Sequence, residues 1–330
     1  MLAALTLLAT ASLTAAWNTT AGCNSAGFDL DSSGKINRTL PSGRQYLLHV
    51  PSDYDASTGH PAVLSFHGAG GTSANQEKLS QLSTPGLRIA GLPIIAAYPQ
   101  GADNTDQNRT GVWYSAPYAN TSVDDIQFTK DVVADISDNY CIDPRRIYAS
   151  GKSNGGGFTA YMACRQDTTR IFAAFAPVSP ALYNGTLAFS GCDPARPIPI
   201  ITSHGVEDQT IPFDGRNDSS GAYGVGTATI NVPLWREQWA VRNGCPETSN
   251  GSDPSPTDVT SPYVNTTEYV WSCDAEIQAY TVSNLGHSWP TTQGLDSSGA
   301  PNNTASFNFT DPPLVDFFSK QTLPDWCFED

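Results

Sequence analysis

A mostly parallel α/β sheet with helices on both faces, in a single domain, is what this 330-residue chain predicts. Two observations carry that expectation. Apolar runs of strand length recur along the chain with amphipathic helical patterns between them, the sequence mark of strand–helix–strand crossovers. In addition, Ser153 sits among glycines where a strand pattern meets a helix pattern, in "IYASGKSNGGGFTAYMAC" from Ile147 to Cys164.

Taken in order, the chain opens on "MLAALTLLATASLTAA". Residues 1–16 are apolar, too short for a membrane span and end in small residues, so they read as a signal peptide, leaving 17–330 as the domain. Strands are expected at Tyr46–Val50, Ala62–Phe66, Pro93–Tyr98, Arg146–Ala149, Pro199–Ser203 and Ile277–Val282. In "SVDDIQFTKDVVADISDNY", Val123, Ile126, Val133, Ile136 and Tyr140 fall on one helical face, with Ser122 as the N-cap and acidic residues in the first turn. Leu234, Trp235 and Trp239 mark another helix, and Leu314, Val315, Phe317 and Phe318 a last one. Asn217–Val232 and Pro246–Tyr269 read as long surface insertions, not domain boundaries.

Composition narrows the class. With 39% hydrophobic and 10% aromatic residues there is material for a core, and a net charge of −15 disfavours nucleic acid and anionic membrane surfaces. Sequons begin at Asn18, Asn37, Asn108, Asn120, Asn184, Asn217, Asn250, Asn265, Asn302 and Asn308, the texture of a secreted glycoprotein. The seven cysteines include no CxxC pair, so disulfides are expected instead of a metal site. Cys245–Cys273 and Cys164–Cys192 are the favoured pairs, and the odd count leaves at least one thiol over.

"GKSNG" is a G-x-S-x-G pattern in its strand–turn–helix context. Gly151 and Gly155 would relieve clashes at so sharp a turn, and Gly156 and Gly157 would let the helix lie close to the sheet. The corner lifts the Ser153 hydroxyl above the sheet edge and points a helix N-terminus at it. The alternative is a Gly-rich turn that binds phosphate. An acid and a histidine should then follow in that chain order. Asp208 lies in the loop after the strand of "PIPIITSHGVEDQTIP", and His287 in the loop after the strand of "AYTVSNLGHSWP". Glu207 is the alternative acid and Asp214 a more remote one. His49 and His60 come too early in the chain, while His67 and His204 read as supports for the loops that carry site groups. Such a set performs acyl transfer: His287 takes the Ser153 proton as the hydroxyl attacks an ester carbonyl, and Asp208 holds the imidazole. Two oxyanion donors are expected, the Asn154 N–H and a donor from "HGAGG", with Ala69 first and Gly68 next. The chemistry requires neither cofactor nor metal.

"RQYLLHVPSDYD", "SFHGAGG", "YPQG", "VDDIQFTKDVV", "CIDPRRIYASGKSNGGGFTAYMAC", "FAPVSPAL", "SHGVEDQTIP", "NGC" and "GHSWP" together resemble secreted fungal feruloyl esterases of the type C/D kind. That group is related to polyhydroxybutyrate-depolymerase-like esterases. The resemblance runs from about residue 20 to about residue 320. It implies an α/β-hydrolase fold, a triad at Ser153, Asp208 and His287, and release of hydroxycinnamic acids from feruloylated arabinoxylan. Lys152 departs from the small or apolar residue that such elbows often carry. The expected partner is a feruloylated polysaccharide or a small hydroxycinnamate ester, met by an extracellular monomer. An aromatic-lined cleft suits that substrate, and Trp289, Trp113 and Tyr114 are the candidate walls. An acetylxylan esterase or a polyester depolymerase keeps the triad and changes the pocket; a carbohydrate-binding protein on a dead hydrolase scaffold is the third reading.

Overall fold

The computed structural model describes residues 19–185, 191–217, 228–247 and 253–328. In chain order the elements are β1 (Lys35–Thr39), β2 (Gln45–His49), β3 (His60–Phe66), α1 (Ser73–Ser80), the short hairpin β4 and β5 (Arg88–Ile89, Leu92–Pro93), and β6 (Ile95–Pro99). The hairpin β7 and β8 (Ala102–Asn104, Arg109–Val112), α2 (Asp125–Asn139), β9 (Ile142–Lys152), α3 (Asn154–Ala163), β10 (Ala174–Val178) and β11 (Ile200–Gly205) follow. Then come α4 (Val232–Arg242), β12 (Asp258–Tyr263), β13 (Thr266–Ser272), β14 (Glu276–Val282) and α5 (Val315–Ser319). Ten strands make one sheet in the order β1-β2-β6-β3-β9-β10-β11-β14-β13-β12. Its centre, from β6 to β14, is parallel, and antiparallel strands close both flanks.

The central strands are buried on both sides, which is why apolar residues fill successive positions, 61–64 in β3 and 174–178 in β10, and do not alternate with polar ones. The pleat sorts their side chains between two cores. Ala62, Leu64 and Phe66 of β3 join Ile147 and Ala149 of β9 in the core beneath α2, α3 and α4. Val63 and Tyr148 point the other way, into a core closed by Phe317 and Phe318 of α5.

The expected strands are all present, with ends shifted by a few residues. Strands β1 and β10 were not among them. Helix α2 begins later than expected: Asp124, not Ser122, is its N-cap and accepts from the Gln127 N–H, whereas the Ser122 hydroxyl donates to Asn120 Oδ1. The segment Pro246–Tyr269 is not a plain surface insertion, since it contains β12 and the start of β13 at one sheet edge. Five of the six β12 residues are exposed, so the strand carries no apolar signature. Residues 1–16 and much of Asn217–Val232 lie outside the described residues.

Both expected disulfides form, Cys164–Cys192 and Cys245–Cys273, and a third joins Cys23 to Cys141, leaving Cys327 as the free thiol. The third bridge pins the N-terminal segment to the end of α2, where Gly22 N–H also donates to the Ser137 carbonyl. No helix among the described residues is long and apolar enough to cross a membrane. Cys23–Cys141 spans 118 residues and Cys164–Cys192 spans 28. Loop-closure entropy therefore makes loss of the first the larger, about 4–5 against about 3–4 kcal/mol. Urea unfolding of the two double-serine variants measures the difference, and an inverted order would show that native packing, not loop closure, sets it.

Candidate active site

Four strands end on one edge of the sheet, β3, β9, β11 and β14, and the loops that leave them carry the site. At the end of β9 the backbone of Ser153 turns through φ 57°, ψ −121° straight into α3. Three hydrogen bonds fix the corner: Ser153 N–H donates to the Val178 carbonyl, and the Ser153 carbonyl accepts from Gly157 and Ala181 N–H. A Cβ on Gly155 would stand 2.2 Å from the Phe66 carbonyl oxygen, so no larger residue fits against β3. A Cβ on Gly205 would stand 2.1 Å from the Leu285 carbonyl oxygen, which is how closely the loop of Asp208 lies against the loop of His287.

The three residues meet. His287 Nδ1 lies 2.7 Å from Asp208 Oδ2, and His287 Nε2 lies 2.7 Å from Ser153 Oγ. An ionised carboxylate only accepts, so Nδ1 carries the proton and Nε2 offers its lone pair to the Ser153 hydroxyl. Burial works against the charge of Asp208. Hydrogen bonds from His204 and His287 outweigh it and hold the carboxyl far below the usual carboxylate range. The other oxygen, Oδ1, accepts from Thr210 and Ile211 N–H at 2.9 and 2.8 Å. His204 Nε2 faces two acceptors, the Ile211 carbonyl at 2.9 Å and Asp208 Oδ2 at 3.2 Å, and so is the protonated nitrogen of that ring. The alternative acids, Glu207 and Asp214, make no contact with His287.

The loop after β3 is held just as firmly. His67 is buried; its Nδ1 donates to the Gly68 carbonyl and its Nε2 accepts from Gly101 N–H. Burial lowers its pKa to about 4, so the ring is neutral near pH 7. Gly70 N–H donates to the Thr110 carbonyl, while Ala69 N–H has no acceptor among the described residues. Asn154 opens α3, and the Ser153 side chain does not cap that helix. The N–H groups of Ala69 and Asn154 thus flank the serine.

Ser153 and His287 open onto a cleft of about 290 Å³. None of the expected aromatic walls lines it. Trp113 is wholly buried between Phe66 and Phe158; its Nε1 donates to the His67 carbonyl, and its backbone N–H donates to Asn154 Oδ1. It clasps together the two loops that flank the serine. Trp289 is also fully buried, packed on Phe309 in the core under α5 with Nε1 donating to Thr310 Oγ1. Tyr114 is exposed, but it stands against Tyr161 on a separate surface groove. Adjacency in sequence fails here because the turn after His287 sends Trp289 beneath the sheet edge. The apolar wall is built instead from Val112, Tyr118, Tyr183 and Ile211, part of a small buried cluster separate from both cores. The two tyrosine rings meet edge to face at 5.8 Å. Signals for both existed: Tyr118 ends "GVWYSAPY", the aromatic stretch from Gly111 that also holds Trp113 and Tyr114, and Tyr183 lies past the end of β10.

Lys152, the unusual residue of the elbow, is buried at the cleft floor. Its Nζ lies 3.0 Å from Asp296 Oδ2 and 2.5 Å from Ser298 Oγ. Ser298 donates in turn to Asp296 Oδ1, and Trp289 N–H donates to Oδ2, so the carboxylate is well satisfied. Burial and then the Lys152 charge push the pKa of His287 below its ordinary 6.5, with Asp208 and Asp296 opposing.

No family model matches the chain. Feruloyl esterase B of Piromyces equi is 29% identical over 202 residues, 61% of this chain but 36% of that protein. Feruloyl esterase C of Emericella nidulans is 29% identical over 218 residues, 65% of this chain and 67% of that one. Among solved structures, an acetyl xylan esterase from Aspergillus awamori superposes with a TM-score of 0.54 at 14% identity, covering 77% of this chain and 93% of that chain. A ferulic acid esterase from Anaeromyces mucronatus gives 0.50 at 13%, covering 87% and 89%. Those two show the fold. The fold is that of the α/β-hydrolases. In sequence the chain is similar to fungal feruloyl esterases, and it spans about a third of the length of the Piromyces protein.

The pair Lys152 and Asp296 gives a signed test. Removing the cation in Lys152→Met makes protonated His287 easier to form, and its titration, followed by NMR of the ring protons, should move to higher pH. Removing the anion in Asp296→Asn should move it to lower pH. Shifts in one common direction would mean that the pair acts through packing and not through charge.

Proposed function

We propose that the chain is a secreted serine carboxylesterase that releases ferulic and related hydroxycinnamic acids from feruloylated plant cell-wall polysaccharide. What carries the reading is the continuous hydrogen-bonded line from Asp208 through His287 to Ser153 at the mouth of an aromatic-lined cleft. The relatives' names support the substrate class. Three disulfides and exposed sequon asparagines such as Asn37 and Asn265 support export behind the leader at 1–16.

In this mechanism His287 Nε2 takes the Ser153 proton as Oγ attacks the ester carbonyl. The oxyanion settles between Ala69 and Asn154 N–H, donors whose loss in comparable sites costs on the order of 10²–10³ in rate. Protonated His287 then delivers its proton to the leaving alcohol. Water, deprotonated by the same nitrogen, attacks the acyl-serine, and the proton returns from His287 to Ser153 Oγ as the acid leaves. The acyl ring rests on Tyr118, Tyr183, Val112 and Ile211.

An acetylxylan esterase is the second reading, favoured by a bifunctional acetylxylan esterase/xylanase from Neocallimastix patriciarum that is 30% identical over 182 residues, 23% of that protein. Acid release from methyl ferulate and from acetylated xylan separates the two. Ser153→Ala should lose at least a thousandfold in ester hydrolysis with an unchanged circular dichroism spectrum; activity near wild type would remove Ser153 from the mechanism. Tyr183→Ala should cut kcat/KM for methyl ferulate severalfold, about what 0.5–1.5 kcal/mol of aromatic contact supplies. Hydrolysis of 4-nitrophenyl acetate should change less, and equal losses would move the acyl ring elsewhere.

A further inference from the structure

A second cavity of about 280 Å³ adjoins the cleft and shares Gly68, Ala69, Gly70, Lys152 and Ser298 with it. Its other walls differ in chemistry from the first. Asn75 and Lys78 of α1 reach it from one side and Ser297 from the other. Both α1 residues are exposed, and neither side chain has a hydrogen-bond or ion-pair partner among the described residues. In a chain of net charge −15, an unpaired ammonium and a free carboxamide in a cavity that adjoins the serine's cleft are hydrogen-bonding capacity that the fold itself does not use.

We infer that this second lobe receives the alcohol half of the ester, and that Asn75 and Lys78 recognise a polyhydroxylated sugar there. The inference rests on the ester-hydrolase reading above. In the tetrahedral intermediate the former carbonyl carbon bears Ser153 Oγ, the oxyanion, the acyl chain and the leaving oxygen. With the oxyanion held by the loop at Gly68–Gly70, the last two substituents must diverge. The aryl group matches the lobe of Tyr118, Tyr183, Val112 and Ile211, because the second cavity has no tyrosine, phenylalanine or tryptophan among the described residues that line it, although Asn108, Arg109, Thr110 and Thr210 also border the first. The sugar matches the lobe of Asn75, Lys78, Ser297 and Ser298, where amide, ammonium and hydroxyl groups exchange hydrogen bonds with it. Ser298 borders both lobes, so the leaving oxygen passes it on its way from His287.

The test compares a feruloylated arabino-oligosaccharide with methyl ferulate, which has the same acyl group and a one-carbon alcohol. In Asn75→Ala, Lys78→Ala and the double variant, the ratio of kcat/KM for the oligosaccharide ester to that for the methyl ester should fall severalfold, chiefly through KM. An unchanged ratio overturns the assignment, whether both rates hold or both fall together. If wild-type protein cleaves no ferulate but does cleave acetate esters, the same ratio taken with an acetylated xylo-oligosaccharide and 4-nitrophenyl acetate decides the subsite while the acyl reading alone fails. If it cleaves neither, the ester-hydrolase reading falls and takes the subsite with it.

Discussion

The backbone at Ser153 adopts a conformation that costs an ordinary L-residue on the order of 1–3 kcal/mol, and the surrounding structure over-determines it. Strand β9 delivers the chain to the corner, β10 accepts its N–H, and α3 and the loop after β10 both donate to its carbonyl. Gly155 lets β3 come close enough to bring its own loop beside the serine. Everything else in the site follows from where this corner stands. The oxygen is presented at the sheet edge, the first turn of α3 points at it, and the loops that leave β3, β11 and β14 reach it along the same edge.

Much of this was legible because each part has a local signature. Glycines packed around a serine, between a strand pattern and a helix pattern, have few other uses. The strand ends before Asp208 and His287 are visible as apolar runs that stop at loops. Direction was not legible. Trp289 was expected in the cleft because it follows His287 in sequence, and Trp113 because it sits in an aromatic loop, but neither position says which way a ring leaves the backbone. The sheet separates two cores, and each indole was taken by one of them, Trp113 by the core under α3 and Trp289 by the core under α5. Tyr183 was missed because β10 was not among the expected strands, so the residue past its end was not recognised as a site position. Strand β12 was invisible for the opposite reason: an exposed edge strand has no apolar face to read.

Trp113 shows how a core residue serves a site it does not touch. Its indole N–H anchors the loop of His67 while its backbone is gripped by the Asn154 side chain, so the separation between the two flanking loops is set by one rigid ring. Neutral His67 performs a related task with hydrogen bonds at both ring nitrogens. The Lys152–Asp296 pair sets opposite charges near His287, the cation lowering its pKa and the anion opposing. Preorganisation of this kind places the work of catalysis in folding, before any substrate arrives.

A sheet of ten strands must also end. On the flank of β12 the last ladder is broken by a register shift between Thr260 and Tyr263, and Pro262 in between has no N–H to offer. Asp258 begins the strand and exposed Val259 is its lone large apolar side chain on the outer surface. A further strand from another molecule would find an interrupted row of donors, a bent backbone and a charge at its entry. The molecule can therefore carry an exposed β-edge without that edge becoming a seed for fibrils.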